Sequence, residues 1–195
     1  MNAMRTIAAA LLCCVSFGVS SAHALDHIWI IGGGPNPGDS QAQIEFNVNW
    51  VIQALNNTAG ARQLHVYYTD GATSGRDVVL WQPPRESKDS LQPLARVFGE
   101  QGPNGERFYT SKIPHVQGGT EASALKERLE KEFSELKPGD RALLIYNGHG
   151  LRDQDDPAGN TLRLWNDTQL TVREMDQIMS RIDSGIPVRF VFTQC

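Results

Sequence analysis

Two side chains in this sequence have the types and the setting for nucleophilic chemistry. His149 sits in Asn147-Gly148-His149-Gly150, and Cys195 follows Val188-Arg189-Phe190-Val191-Phe192-Thr193-Gln194. A thiol attacks as its thiolate, and a nearby imidazole creates or stabilises that form. The glycines beside the histidine add to this. Gly148 permits a sharp exit from a strand. Gly150 leaves its backbone N–H bare, and with the N–H of Cys195 it makes a candidate oxyanion hole. Taken singly, a histidine in a turn is a plain turn residue and a lone cysteine is a small core hydrophobe. Only the pairing carries chemical meaning.

The pairing requires elements that bring residues 149 and 195 together. Four apolar, β-branched or aromatic runs do this: His27-Ile28-Trp29-Ile30-Ile31, Leu64-His65-Val66-Tyr67-Tyr68, Ala142-Leu143-Leu144-Ile145-Tyr146 and Val188-Arg189-Phe190-Val191-Phe192. Short, nearly continuous apolar runs of this kind are the signature of buried parallel strands. Helical spacing of apolar residues falls between them. Ile44, Val48, Val51, Ile52 and Leu55 form one face over residues 40–57. Ala124, Leu125, Leu129, Phe133 and Leu136 do so over 120–136, and Val172, Met175, Ile178, Met179 and Ile182 over 171–182. Thr120, Glu121 and Ser123 start the second helix, and Lys137-Pro138-Gly139-Asp140 ends it. The alternation predicts an α/β fold, a three-layer αβα sandwich around a mainly parallel sheet. Ligand sites in such sheets lie beyond the carboxyl ends of the strands. The third run ends just before His149 and the fourth just before Cys195. Neighbouring strands stand about 4.8 Å apart, so both groups face one cleft.

Residues 71–119 break this rhythm. They are rich in Gly, Pro, Ser and charge, and they read as a loop-rich insertion with a small hairpin from Val78-Val79-Leu80-Trp81 and Arg107-Phe108-Tyr109. The 195 residues suit a single domain, and 40% hydrophobic against 21% charged residues excludes a wholly disordered chain. A net charge of −4 argues against nucleic-acid partners, which need a basic face.

Residues 1–24 read as a secretory signal peptide. Arg5 precedes an apolar stretch from Ile7 to Val19, and Ala22-His23-Ala24 supplies small residues for cleavage. The stretch is shorter than the ~20 residues of a membrane span. The expectation is therefore an exported protein, periplasmic or secreted, with no stable membrane insertion after cleavage. Two of the three cysteines, Cys13 and Cys14, leave with the leader, so Cys195 becomes the single thiol of residues 25–195. No internal disulfide is then possible.

Other signals fail on inspection. Gly32-Gly33-Gly34-Pro35-Asn36-Pro37 follows a strand as a nucleotide loop would, yet Pro37 stands where the last glycine belongs. The acidic loop Arg152-Asp153-Gln154-Asp155-Asp156 departs from the calcium-loop pattern at Pro157. His65 and His115 lack partners at zinc spacing and read as structural. No metal and no cofactor is expected.

The blocks Ala142-Leu143-Leu144-Ile145-Tyr146-Asn147-Gly148-His149-Gly150 and Val188–Cys195 resemble those of the caspase, metacaspase and legumain clan of cysteine peptidases. In that clan one apolar strand ends in His-Gly and a second ends in the reactive cysteine, at a separation near the 46 positions here. Residues 160–175, and the Ile30–Pro37 run followed by Asn47 and Trp50, are also similar to clan segments. The resemblance covers most of residues 26–195 apart from 71–119. It implies a caspase-like fold and peptide hydrolysis through an acyl-thioester. His149 would be general base and acid, and Cys195 the nucleophile. The N–H groups of Gly150 and Cys195 would form the oxyanion hole, and the partner would be a peptide or protein substrate. Clan members hold the residue before the cleaved bond with charged groups of the first strand–helix loop. Here that loop offers Asp39 as its charge and Asn36, Gln41 and Gln43 as polar candidates, while Thr193 stands two before the cysteine. The resemblance also implies further sheet after Cys195, so residues 25–195 read as a peptidase domain lacking its C-terminal part. The competing expectation is an inactive caspase-like binding module or a truncated gene fragment.

Overall fold

The computed structural model describes residues 25–81 and 105–193. The leader at 1–24, residues 82–104 of the insertion, and Gln194 and Cys195 lie outside the described residues. The elements in chain order are β1 (Asp26–Gly33), α1 (Ala42–Asn56), β2 (Arg62–Tyr68), β3 (Val78–Trp81), β4 (Glu106–Tyr109), α2 (Ala122–Ser134), β5 (Arg141–Leu151), β6 (Thr161–Leu164), β7 (Thr168–Thr171), α3 (Val172–Met179) and β8 (Val188–Thr193).

The four apolar runs become β1, β2, β5 and β8, and all pair in parallel. β1 lies between β2 and β5, and β8 lies on the other side of β5. Strand side chains alternate between faces, so β1, β2 and β5 each feed two cores, while β8 is exposed along most of its length. Trp29, Ile31, Tyr67, Leu144 and Tyr146 pack beneath Leu125, Leu129 and Phe133 of α2 and Met175 and Ile178 of α3. Ile28, Ile30, Val66, Tyr68 and Ile145 pack on the opposite face against Ile44, Val48 and Ile52 of α1 and against Val78. Burying side chains of this size contributes roughly 1.5–3 kcal/mol each. The result is an α/β protein with helices on both faces of a mainly parallel sheet.

Local chemistry sets the helix starts. The Glu121 side chain accepts from the N–H groups of Ser123 and Ala124, so Glu121 rather than Thr120 caps α2. Thr171 and Glu174 form a reciprocal capping box on α3.

Three features differ from the sequence expectation. First, β5 does not end at Tyr146. It continues to Leu151 because a second ladder takes over: Gly148 still pairs with Gly33, and His149 pairs antiparallel with Arg163 of β6. His149 is therefore a strand residue, not a loop residue.

Second, residues 161–171 form an antiparallel hairpin, β6–β7, that strand–helix alternation alone does not anticipate. Its turn centres on Asn166 and Asp167, with φ of 60° and 54°. Two successive left-handed residues define the tight hairpin turn that Asn and Asp favour. The sequence signal was the Asn-Asp pair between two alternating apolar runs.

Third, the 71–119 insertion is partly sheet. β3 and β4 pair as the expected hairpin. Its last residues run beside β2, with Gln117 N–H donating to Val66 O and Tyr68 N–H to Gly118 O. The unpaired edge of β2 offers these partners, and buried amides rarely go without them.

Candidate functional site

The site grows from a close crossing of backbones that only glycines allow. β1 ends in Gly32-Gly33-Gly34, and Gly33 has a φ of 112°. A Cβ on Gly34 would stand 2.3 Å from Asp39 O, and one on Gly148 would stand 2.6 Å from both Gly33 O and the Tyr146 hydroxyl. The β1–α1 loop can therefore fold back tightly and lie across β5. Asn36 closes this loop, accepting the Asp39 N–H at 3.1 Å and donating to the Asp39 carboxylate at 3.1 Å. Ser40 Oγ accepts the buried Gly34 N–H at 2.8 Å.

This fold-back puts two acceptors on one nitrogen of His149. Its Nε2 lies 2.8 Å from Asp39 O and 2.9 Å from Gln41 Oε1. Both are oxygens without a proton to give, so Nε2 carries the hydrogen and donates. The other ring nitrogen, Nδ1, is then the basic one. An imidazole held in this tautomer is oriented to take a proton at Nδ1.

Buried polar groups hold the backbone beneath. The Tyr146 hydroxyl bonds to the carbonyls of His149 at 2.7 Å and Arg163 at 2.9 Å, tying β5 to β6. Burial raises the Tyr146 phenol far above its ordinary range, so it stays a neutral donor. Asn147 Nδ2 donates to Thr193 Oγ1 at 2.6 Å, and that hydroxyl donates to Tyr146 O at 3.2 Å. The end of β8 is thereby fixed to β5 two residues before the histidine.

Charge gathers beside His149. Arg163, its cross-strand partner, bonds to Asp167 at 3.2 Å and lies 3.9 Å from the Asp39 carboxylate. Asp167 N–H in turn donates to Pro35 O at 3.0 Å, docking the β6–β7 turn on the β1–α1 loop.

The sequence candidates thus fall into three groups. Asn36, Gln41, Thr193 and His149 come together around the carboxyl ends of β1, β5 and β8. Gly150 lies in the ladder opposite Leu162. Gln43 sits apart on the exposed side of α1, bonded to Asn47 at 2.9 Å. Sequence reasoning missed Tyr146, Asn147, Arg163 and Asp167. Tyr146 and Asn147 were visible next to His149, but Arg163 and Asp167 come from the unforeseen hairpin.

Two further histidines lie toward the amino ends of the strands. His65 Nδ1 is 3.3 Å from Glu132, whose carboxylate also accepts from Trp29 Nε1 at 2.7 Å and the Tyr67 hydroxyl at 2.5 Å. His27 Nε2 is 3.5 Å from Asp140. The rings of His27, Trp29 and His65 are mutually stacked. A cleft of about 640 Å³ borders them, lined by Leu25, Gln63 and Asp140 among others. Elsewhere, the acidic loop uses its carboxylates internally: Asp153 accepts from the N–H groups of Asp155 and Asp156, and Asp156 pairs with Arg173.

Among the described residues, no group of three or more His, Cys, Asp or Glu is arranged to hold a metal ion, and no helix is long and apolar enough to cross a membrane. No family model matches the chain, and no curated protein matches it. Its architecture is similar to the crystal structure of a protein from Geobacter sulfurreducens, with 12% identity and a TM-score of 0.51 over 88% of this chain and 50% of that one. At this identity the likeness shows the α/β fold alone. The chain spans about half the length of that protein.

Proposed function

We propose that this protein is an exported cysteine endopeptidase of caspase-like fold, with His149 and Cys195 as its dyad. The observation that carries the reading is the register of β5 against β8. The pairs run from Ala142 opposite Val188 to Asn147 opposite Thr193, at a constant offset. A step of two residues leads from Asn147 to His149, and the same step leads from Thr193 to Cys195. Two residues reach at most about 7 Å along the chain. The chemistry of the histidine supports the same reading, since Nδ1 is the basic nitrogen.

In this mechanism the Cys195 thiol gives its proton to His149 Nδ1. The sulfur attacks the peptide carbonyl carbon, and negative charge moves to the carbonyl oxygen, where backbone N–H groups of Gly150 and Cys195 would meet it. The C–N bond then breaks, and the amine leaves with the proton held on Nδ1. Water attacks the thioester carbon, giving one proton to Nδ1; the C–S bond breaks, and the carboxylic acid product departs, leaving the thiolate. The proton returns to the sulfur.

A peptide bearing a thiol-reactive group tests this on the full chain. Labelling is expected at Cys195, absent in Cys195→Ala and at least about a hundredfold slower in His149→Ala. Labelling of His149→Ala at the intact rate overturns the dyad.

A further inference from the structure

We infer that Gln41 is a positioning residue that selects the tautomer of His149. It rests on the peptidase reading for its chemical purpose, but the geometry stands by itself. Gln41 is the residue that opens α1, a position where Ser, Thr, Asp and Asn prevail because their side chains cap the first free N–H groups. Gln41 makes no such bond, although its backbone takes the extended shape of a capping residue, with φ −67° and ψ 143°. Its amide oxygen turns instead to His149 Nε2 at 2.9 Å. The neighbouring Ser40 hydroxyl accepts from Gly34 N–H in the buried loop. A helix start has therefore given up its local capping bond for a contact with a histidine more than one hundred positions away in the chain.

The placement is braced from a second direction. Val79 of β3 donates to Ser40 O at 2.9 Å, and Gln41 bridges to Val79 in parallel. The β3–β4 hairpin thus grips the backbone on which the amide is mounted. Asp39 O alone would hold the Nε2 proton through one backbone contact. The Gln41 oxygen adds a second acceptor at the same nitrogen, so the tautomer with a proton on Nδ1 would leave two oxygens without a donor. That tautomer is the one in which Nδ1 cannot accept the thiol proton.

Histidine-selective ¹⁵N NMR of the full chain reads the tautomer directly, with the His149 signal assigned by its loss in His149→Ala. The intact protein is expected to hold the proton on Nε2. Gln41→Met keeps the length of the side chain but removes the acceptor, and should move the Nε2–H to Nδ1–H ratio roughly fivefold toward Nδ1–H, the worth of one ordinary hydrogen bond. Gln41→Glu restores an acceptor and, with spectra of all variants recorded at a pH where the imidazole is neutral, should restore the Nε2–H form. Thermal unfolding of both variants at the intact temperature separates this from a folding defect. An unchanged ratio in Gln41→Met, or a ratio that Gln41→Glu fails to restore, overturns the inference. If the ratio moves as expected while His149→Ala still labels at the intact rate, the positioning role stands and the peptidase reading fails.

Discussion

The two ends of the sheet hold histidines in opposite ways. Toward the amino ends, His65 and His27 face carboxylates, and Glu132 alone collects His65, Trp29 and Tyr67. At the carboxyl ends, His149 faces a backbone carbonyl and an amide oxygen. The carboxylates tie buried side chains together, Glu132 joining β1 and β2 to α2 and Asp140 meeting His27. Neutral acceptors on one nitrogen choose a tautomer and leave the other nitrogen basic. The first arrangement stabilises the fold, whereas the second prepares a proton acceptor. Burial does not separate them, since His27 and His149 are both half-buried while His65 is buried.

Removing the hub at the amino end should give the largest effect of all. Glu132→Ala strips the acceptor from Trp29, Tyr67 and His65 at once, and each buried polar group left without a partner costs ~1–3 kcal/mol. A loss of roughly 4 kcal/mol in denaturant unfolding is expected, with probe labelling of the folded fraction unchanged. A loss of labelling per folded molecule would erase the distinction between the two ends.

Gly148→Ala should reverse that pattern. The added Cβ meets Gly33 O, a backbone atom with no freedom to move aside. Overpacking of this kind costs about 1–3 kcal/mol. It should also shift His149 relative to the β1–α1 loop and slow labelling about a hundredfold, as a misplacement near 1 Å does. A variant that is destabilised yet labels normally would mean that the glycine crossing does not set the site.

The smallest effect is the dependence of stability on pH. Burial lowers the His27 pKa below its ordinary 6.5, and the like charge of His65 adds to this against the pull of Asp140 and Glu132. The unfolded chain therefore takes up the proton first as pH falls, so stability drops from about pH 6.5 down through the lower folded value. Burial alone would raise the Glu132 carboxyl, but hydrogen bonds from His65, Tyr67 and Trp29 reverse this and leave it below its usual range. Its stabilisation is present above the ordinary carboxylate pKa and is lost as pH falls through the folded value. His27→Gln should remove the first part of the decline and leave the second, as followed by urea midpoints between pH 7 and 4. An unaltered upper part would assign that part of the decline elsewhere.

Much of this was legible in the chain. The four apolar runs are the four parallel strands; β1, β2 and β5 are apolar because a strand buried on both faces needs apolar residues at nearly every position, whereas β8 departs from that expectation, with Phe190, Val191 and Phe192 exposed. The three helical faces were visible through the spacing of Val48, Leu129 and Ile178 among others. His149 stood out through its glycines. What pattern reading missed has a common physical cause. Arg163 and Asp167 reach the site through antiparallel pairing, and pairing partners are chosen by the surroundings of a strand rather than by its own residues. The Asn166-Asp167 turn was a local signal that a strand–helix template passes over. Gln43 shows the converse: it lies two residues from Gln41, yet the helix turns it to the outer face.

By itself the sequence determined the composition of the layers, the order of strand and helix, and which two side chains are candidates by type for nucleophile and base. These follow from local periodicity and from residue type. Only the tertiary structure decided which nitrogen of His149 holds the proton. That choice depends on Asp39 O and Gln41 Oε1, two oxygens more than one hundred positions from the histidine in the chain. They reach it because Gly33, Gly34 and Gly148 let the β1–α1 loop and β5 approach more closely than any residue with a Cβ permits.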